Sequence, residues 1–208
     1  MQAHNPAMPR IARIVAQGIP HHVTQRGNRR QVVFFREDDY LFYLSLLAQF
    51  CKAAGTEVWA YCLMPNHVHL IMVPSTPDGL RASIAEAHRR YTRRINQRFE
   101  WRGHLWQDRF SSFPMGEKHL LTAARYIELN PIRAHLAETP QDYRWSSAGA
   151  HLAGRDDLLA KASPLLEMAG DWSGLLASGL TGEEAEDFRQ HEKTGKPMGL
   201  EVLGQYKR

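Results

Sequence analysis

EVWAYCLMPNHVHLIMV, residues 57–73, reads as a β-hairpin. Residues 57–63 are rich in strand formers, Met64-Pro65-Asn66 supplies the turn, and residues 67–73 return as a second strand. On the N-terminal side, Tyr40, Leu44, Leu47, Ala48 and Cys51 recur at helical spacing over residues 37–54, with acidic residues in the first turn and Gly55 placed to end the helix. Before it, HHVTQR at 21–26 is a short strand closed by Gly27-Asn28. On the C-terminal side, residues 78–98 form a second helix whose apolar stripe is Leu80, Ile84, Tyr91 and Ile95. A short strand at 109–115 and a helix at 117–129 follow, the helix stopped by Asn130-Pro131 because a residue before proline is biased away from helical geometry. Strand, helix, strand, strand, helix, strand, helix suits an α+β fold. The expected form is a four-stranded antiparallel sheet of ferredoxin-like or RRM-like kind, with helices packed on one face.

The chain has 208 residues, and 43% are hydrophobic, enough for one packed core and an appendage. No apolar run approaches the roughly 18 residues of a membrane span, and the N-terminus has no export-signal pattern, which predicts a cytoplasmic, nucleoid-associated protein and no membrane partner. Cys51 and Cys62 form no CxxC pair, so neither a disulfide framework nor a zinc ribbon can be built from them. Charge is unevenly spread. Residues 1–150 carry 19 basic and 12 acidic side chains, net +7, whereas residues 151–208 carry 7 and 10, net −3. The working unit is therefore expected at 1–150, with 151–208 a mainly helical extension. Within 81–109 lie eight arginines and no lysine against three acidic residues. Planar guanidinium groups suit phosphate contacts and base stacking, so this run predicts either a nucleic-acid track or a solvated helix face.

Residues two apart on a strand point to one side, so His67 and His69 present two imidazoles together, able to share a metal ion or simply to form a polar sheet face. On the helix at 117–129, Leu120, Ala124 and Ile127 form the core stripe, and Tyr126 lies about 120° from its centre. His119, Tyr126 and Asn130 share a sector of about 40°. A metal bound by His67, His69 and Asn130 would sit beside Tyr126. The plainer alternative makes Tyr126 an interfacial aromatic and Asn130 a helix cap. A phenol is weakly acidic, so a tyrosine nucleophile needs an electrophile strengthened by a cation, a base, or both, and a metal would supply the first. No GxxxxGK[ST] phosphate loop is present.

Four ordered blocks carry a family resemblance: MPRIARIVAQGIPHHVTQRGNRRQVVFF at 8–35, YCLMPNHVHLIM at 61–72, GHLWQDRFSSFP at 103–114 and RYIELNPIRAHL at 125–136. Over nearly the first 150 residues the chain resembles the single-tyrosine HUH transposases, most closely the REP-associated tyrosine transposases. That resemblance implies Tyr126 as a nucleophile that becomes linked to a DNA 5′ phosphate, His67 and His69 as metal ligands, and Asn130 as the third ligand. It further implies Mg2+ or Mn2+, single-stranded hairpin-forming DNA as substrate, and a monomer or homodimer. The candidate DNA contacts are Arg26, Arg29, Arg30, Arg89, Arg90, Arg93, Arg94, Trp106 and Arg109. Two other readings fit the same residues: a non-catalytic binder of DNA or RNA hairpins, and a metal-dependent phosphodiesterase using water.

Overall fold

The computed structural model describes residues 14–199. Residues 8–13 of the first resembling block and residues 200–208 of the acidic tail lie outside them. In chain order the elements are β1 (His21–Arg26), α1 (Glu37–Ala53), β2 (Thr56–Met64), β3 (His67–Pro74), α2 (Gly79–Phe99) and β4 (Ser111–Pro114). They continue as α3 (Glu117–Glu128), α4 (Asn130–Arg133), α5 (Ala148–Leu152), α6 (Ser163–Ala169), α7 (Trp172–Ala177) and α8 (Gly182–Thr194). All strands pair antiparallel in the order β2-β3-β1-β4. With α1 and α2 as the crossovers, this is the split arrangement of the ferredoxin-like sheet, as expected.

Strand alternation sorts the side chains into two cores. Val23, Leu63, Val68, Leu70 and Met72 pack with Leu47, Ile84 and Tyr91 of α1 and α2. Their neighbours in sequence, Cys62, Met64, Ile71 and Phe113, face the other way and pack with Leu120, Ala124 and Ile127 of α3 and with Phe188 of α8. Helices therefore cover both faces, where the sequence reading put them on one. The reason is visible in β3: Leu70, Ile71 and Met72 are all fully buried, and a continuous apolar run belongs to a strand covered on both sides. Residues on both sides of position 150 share the second core.

Two polar devices fix the frame around the sheet. Asp39, with no exposed surface, takes both Arg98 nitrogens at 2.6 and 2.8 Å and the Phe35 amide at 2.9 Å, joining the start of α1 to the end of α2. Gly27 follows β1 where a Cβ would collide with the Gln31 carbonyl and the Val33 side chain, so the chain can fold back there only without one. Pro131 lacks an amide hydrogen, yet Asn130 keeps helical geometry and opens α4 after a break at Leu129. No helix among the described residues is long and apolar enough to cross a membrane.

Candidate active site

β3 lies between β2 and β1, so His67 and His69 sit at the middle of the sheet, on the face that α3 covers. His67 is opposite Arg26 and Met64, and His69 is opposite Thr24 and Cys62. Their ring centroids are 4.8 Å apart. His67 Nδ1 donates to Asn66 Oδ1 at 2.6 Å, which leaves its Nε2 as a lone-pair donor, and burial pushes the ring's pKa down to about 2. A neutral imidazole is the form that binds a metal.

His69 is not alone. Its Nδ1 lies 3.1 Å from His22 Nε2 and 3.3 Å from a Glu192 carboxylate oxygen on α8. Burial lowers His22 to about 3. Burial would raise the Glu192 carboxyl, but its hydrogen bond to His69 and the attraction of His69, His22 and His67 together outweigh that and keep it ionised. Donor atoms of His22, His69 and Glu192 lie within 4.8 Å of one another. Two imidazoles and a carboxylate form a donor set that accepts manganese- or zinc-like divalent ions more readily than an all-oxygen site would.

Tyr126 projects from α3 toward the same strand, its ring centroid 5.8 Å from that of His69. It is 5% exposed, although its angle on the helix placed it away from the core stripe. The cover comes from α8, whose Phe188 lies 4.4 Å from the phenol ring. On another side the Arg133 guanidinium stands 5.0 Å from the ring centroid. Burial and then the Glu192 charge push the phenol's pKa up, while Arg133 and Arg189 pull it back.

These groups line one cavity of about 590 Å³, which holds His67, His69, Tyr126 and Glu192 with Arg26, Arg30, Arg189 and Lys193. Four cationic side chains around one carboxylate make it a place for phosphates. Asn130 is one turn beyond Tyr126 and half-buried, but it does not line this cavity; nor does His119.

The remaining candidates scatter. Arg29 and Arg30 occupy left-handed backbone, at φ 53° and 62°, in the turn after β1. The arginines of α2 point to two sides. Arg90 and Arg94 lean over Phe50 and Phe42 of α1, while Arg89 faces a second cavity with Arg109. Glu86 pairs with both Arg89 and Arg90, so the basic run is partly neutralised within its own helix. Arg93 is exposed on α2. Trp106 is 7% exposed, one face stacked on His88 at 4.6 Å, so it is not an open platform for a base. Sequence reasoning did not single out His22, Phe188, Arg189 or Glu192. His22 could have been found, since it shares the alternation of Thr24 on a strand beside HVH; the α8 residues carry no local signature.

A phenol, imidazoles with free lone pairs and a cationic wall can carry a tyrosine attack on a phosphodiester. A family model described as "Transposase IS200 like" matches residues 15–130. A Haemophilus influenzae protein provisionally named a REP-associated tyrosine transposase is 28% identical over 117 residues, 50% of this chain and 66% of that relative, just under two thirds of its length. A solved REP-associated tyrosine transposase bound to a REP hairpin shares the fold at TM-score 0.57 and 19% identity, covering 74% of this chain and 92% of the other.

Proposed function

The chain belongs to the IS200-like transposase family, and on that basis we propose that it cleaves and rejoins single-stranded, hairpin-forming DNA of REP type through a 5′-phosphotyrosine at Tyr126. The observation that supports this reading is the approach of the Tyr126 ring to His69, 5.8 Å between centroids, at one cationic cavity. His67 and His69 would hold a divalent ion, Mg2+ or Mn2+, with Asn130 the third donor expected from the family; here Asn130 stands outside the cavity and Glu192 lies 3.3 Å from His69. Such an ion withdraws charge from a non-bridging phosphate oxygen.

The chain's own groups do the rest. Arg26, Arg30 and Lys193 bind the phosphates on either side of the scissile one, with Arg29 and the α2 arginines Arg89, Arg90, Arg93 and Arg94 farther along the strand. Tyr126 Oη attacks phosphorus: the P–Oη bond forms, the bond to the 3′ oxygen breaks, and that oxygen leaves with a proton as a free hydroxyl. Arg133 and Arg189 favour the phenolate, and Glu192 opposes it. Attack is therefore favoured when the Glu192 carboxylate moves away from the phenol. The phosphotyrosine keeps the energy of the broken diester, so a 3′ hydroxyl can reverse the step without a nucleotide cofactor.

Labelled single-stranded hairpin DNA incubated with Mg2+ or Mn2+ and then denatured should yield a protein–DNA adduct. The adduct should vanish in Tyr126→Phe and fall at least about 100-fold in His69→Ala. Cleavage that survives Tyr126→Phe would instead identify a phosphodiesterase using water, and tight binding without cleavage would identify a binder.

A further inference from the structure

A second cavity, of about 510 Å³, opens between α2 and residues 104–110, on the side of the sheet away from His67. Its volume falls within the range of ligand sites, about 300–1,000 Å³. Leu105, Trp106 and Phe110 form its apolar part, and Arg81, Arg89 and Arg109 bring charge to it. Trp106 is held in place by His88 stacked on one face, and His88 in turn bonds the Tyr43 hydroxyl at 2.8 Å. The Trp106 indole N–H is buried and finds no acceptor among the described residues. A buried donor without an acceptor is costly unless a ligand supplies one.

A third cavity, of about 590 Å³, shares Trp106 and Arg109 with the second and Gln107 with the cavity at Tyr126. Gln25 lines both the second cavity and the Tyr126 cavity. These shared residues mark one border, around the end of β1. It is made by residues 105–107, which pair with the chain just after β1 through Asn28 N–H to Leu105 O and Gln107 N–H to Arg26 O, each 2.8 Å.

We propose that the second cavity is a pocket for one unpaired nucleobase of the substrate strand. An apolar wall of Leu105 and Phe110, the edge of Trp106 with its unpaired N–H, and guanidinium groups fit a planar heteroaromatic ring with an acceptor edge and a phosphate at its side. From there the strand passes Gln107 to reach Tyr126. The pocket rests on the function proposed above, and its position explains how bases outside the reacting cavity are held at a fixed distance from the scissile phosphate.

The test uses the full chain and two fluorescent DNA hairpins: one with an unpaired flank of randomised sequence, the other with abasic sites throughout that flank. The wild-type protein should prefer the base-bearing flank by about fivefold or more, the low end of one base stacking in a protein site. Ala85 is exposed on α2 and lines the pocket, so Ala85→Trp should plug it and bring the two affinities together. Thr92→Trp, two turns along α2 on the same side, serves as the second plug should the first disturb folding. Trp106→Phe should reduce the preference without abolishing it. No preference in the wild type, or an unchanged preference in both folded plugs, overturns the pocket. Adduct formation at Tyr126 is scored separately on the same hairpins: its absence with the base preference intact refutes only the nucleophile, and its presence with no base preference refutes only the pocket.

Discussion

A carboxylate without exposed surface persists only where other groups replace its water, and Glu128 has three such groups. Ser147 Oγ donates at 2.6 Å, His151 Nδ1 lies at 2.6 Å and Trp172 Nε1 donates at 2.9 Å. These partners come from the segments after α4, so Glu128 fastens that part of the chain to α3 directly beside Tyr126. Removing it leaves the buried donors without an acceptor, which costs far more than one surface contact. Glu128→Ala should lower unfolding free energy by about 3 kcal/mol, read from urea midpoints at constant m-value; a loss near zero would mean that the cluster is an unimportant neighbour of the core. In the sequence, RYIELNPIR is distinctive for Tyr126 and Asn130, and Glu128 between them gives no sign of its role. Its partners stand 19, 23 and 44 positions away, and no local spacing announces them.

Among the elements, strands were the most legible, because the alternation in HHVTQR and HVHLIMV fixes both their existence and which side chains share a face. His67 and His69 followed from that directly. What the sequence does not show is the docking of α8, a helix within the extension at 151–208 that is expected to be mainly helical. It is held by a capping box in which Thr181 and Glu184 bond each other's backbone, and by Arg125 of α3, 2.5 Å from Glu184. Phe188, with no exposed surface, is its one large apolar anchor over Tyr126. Truncation of that ring should weaken the docking of the whole helix. In Phe188→Ala, or in a chain ending before Gly182, Tyr126 should become reactive toward tetranitromethane, with Tyr126→Phe marking the nitrated peptide by its absence. Equal protection of Tyr126 with and without α8 would show that the rest of α3's surroundings suffice to bury it.

Across the molecule, burial lowers the pKa of several imidazoles, among them His21, His22, His67 and His88. Burial lowers His88, between α1, α2 and Trp106, to about 3, and lowers His21, which accepts the Ala16 amide and bonds the Ile19 carbonyl, to about 4. In the unfolded chain each regains a pKa near 6.5, so below that pH the unfolded state binds protons that the folded state refuses. Stability is therefore complete above about pH 6.5 and declines as pH falls toward the lowered folded values, each fully buried ring withdrawing up to about 2 kcal/mol by pH 5. The carboxylates act lower down: Glu57 and Glu184 are held below their ordinary value by Lys161 and by the Thr181 amide. Their loss begins only near their unfolded pKa of about 4.3, which leaves the interval from about pH 6.5 to 4.5 to the histidines. Chemical denaturation at pH 8 and pH 5 should then differ by several kcal/mol, and His88→Gln, which keeps a polar partner for Tyr43 but cannot titrate, should shrink that difference by roughly the share of one ring. A folded domain equally stable at both values would mean that water reaches these imidazoles, and the packing that holds His67 neutral would lose its physical basis.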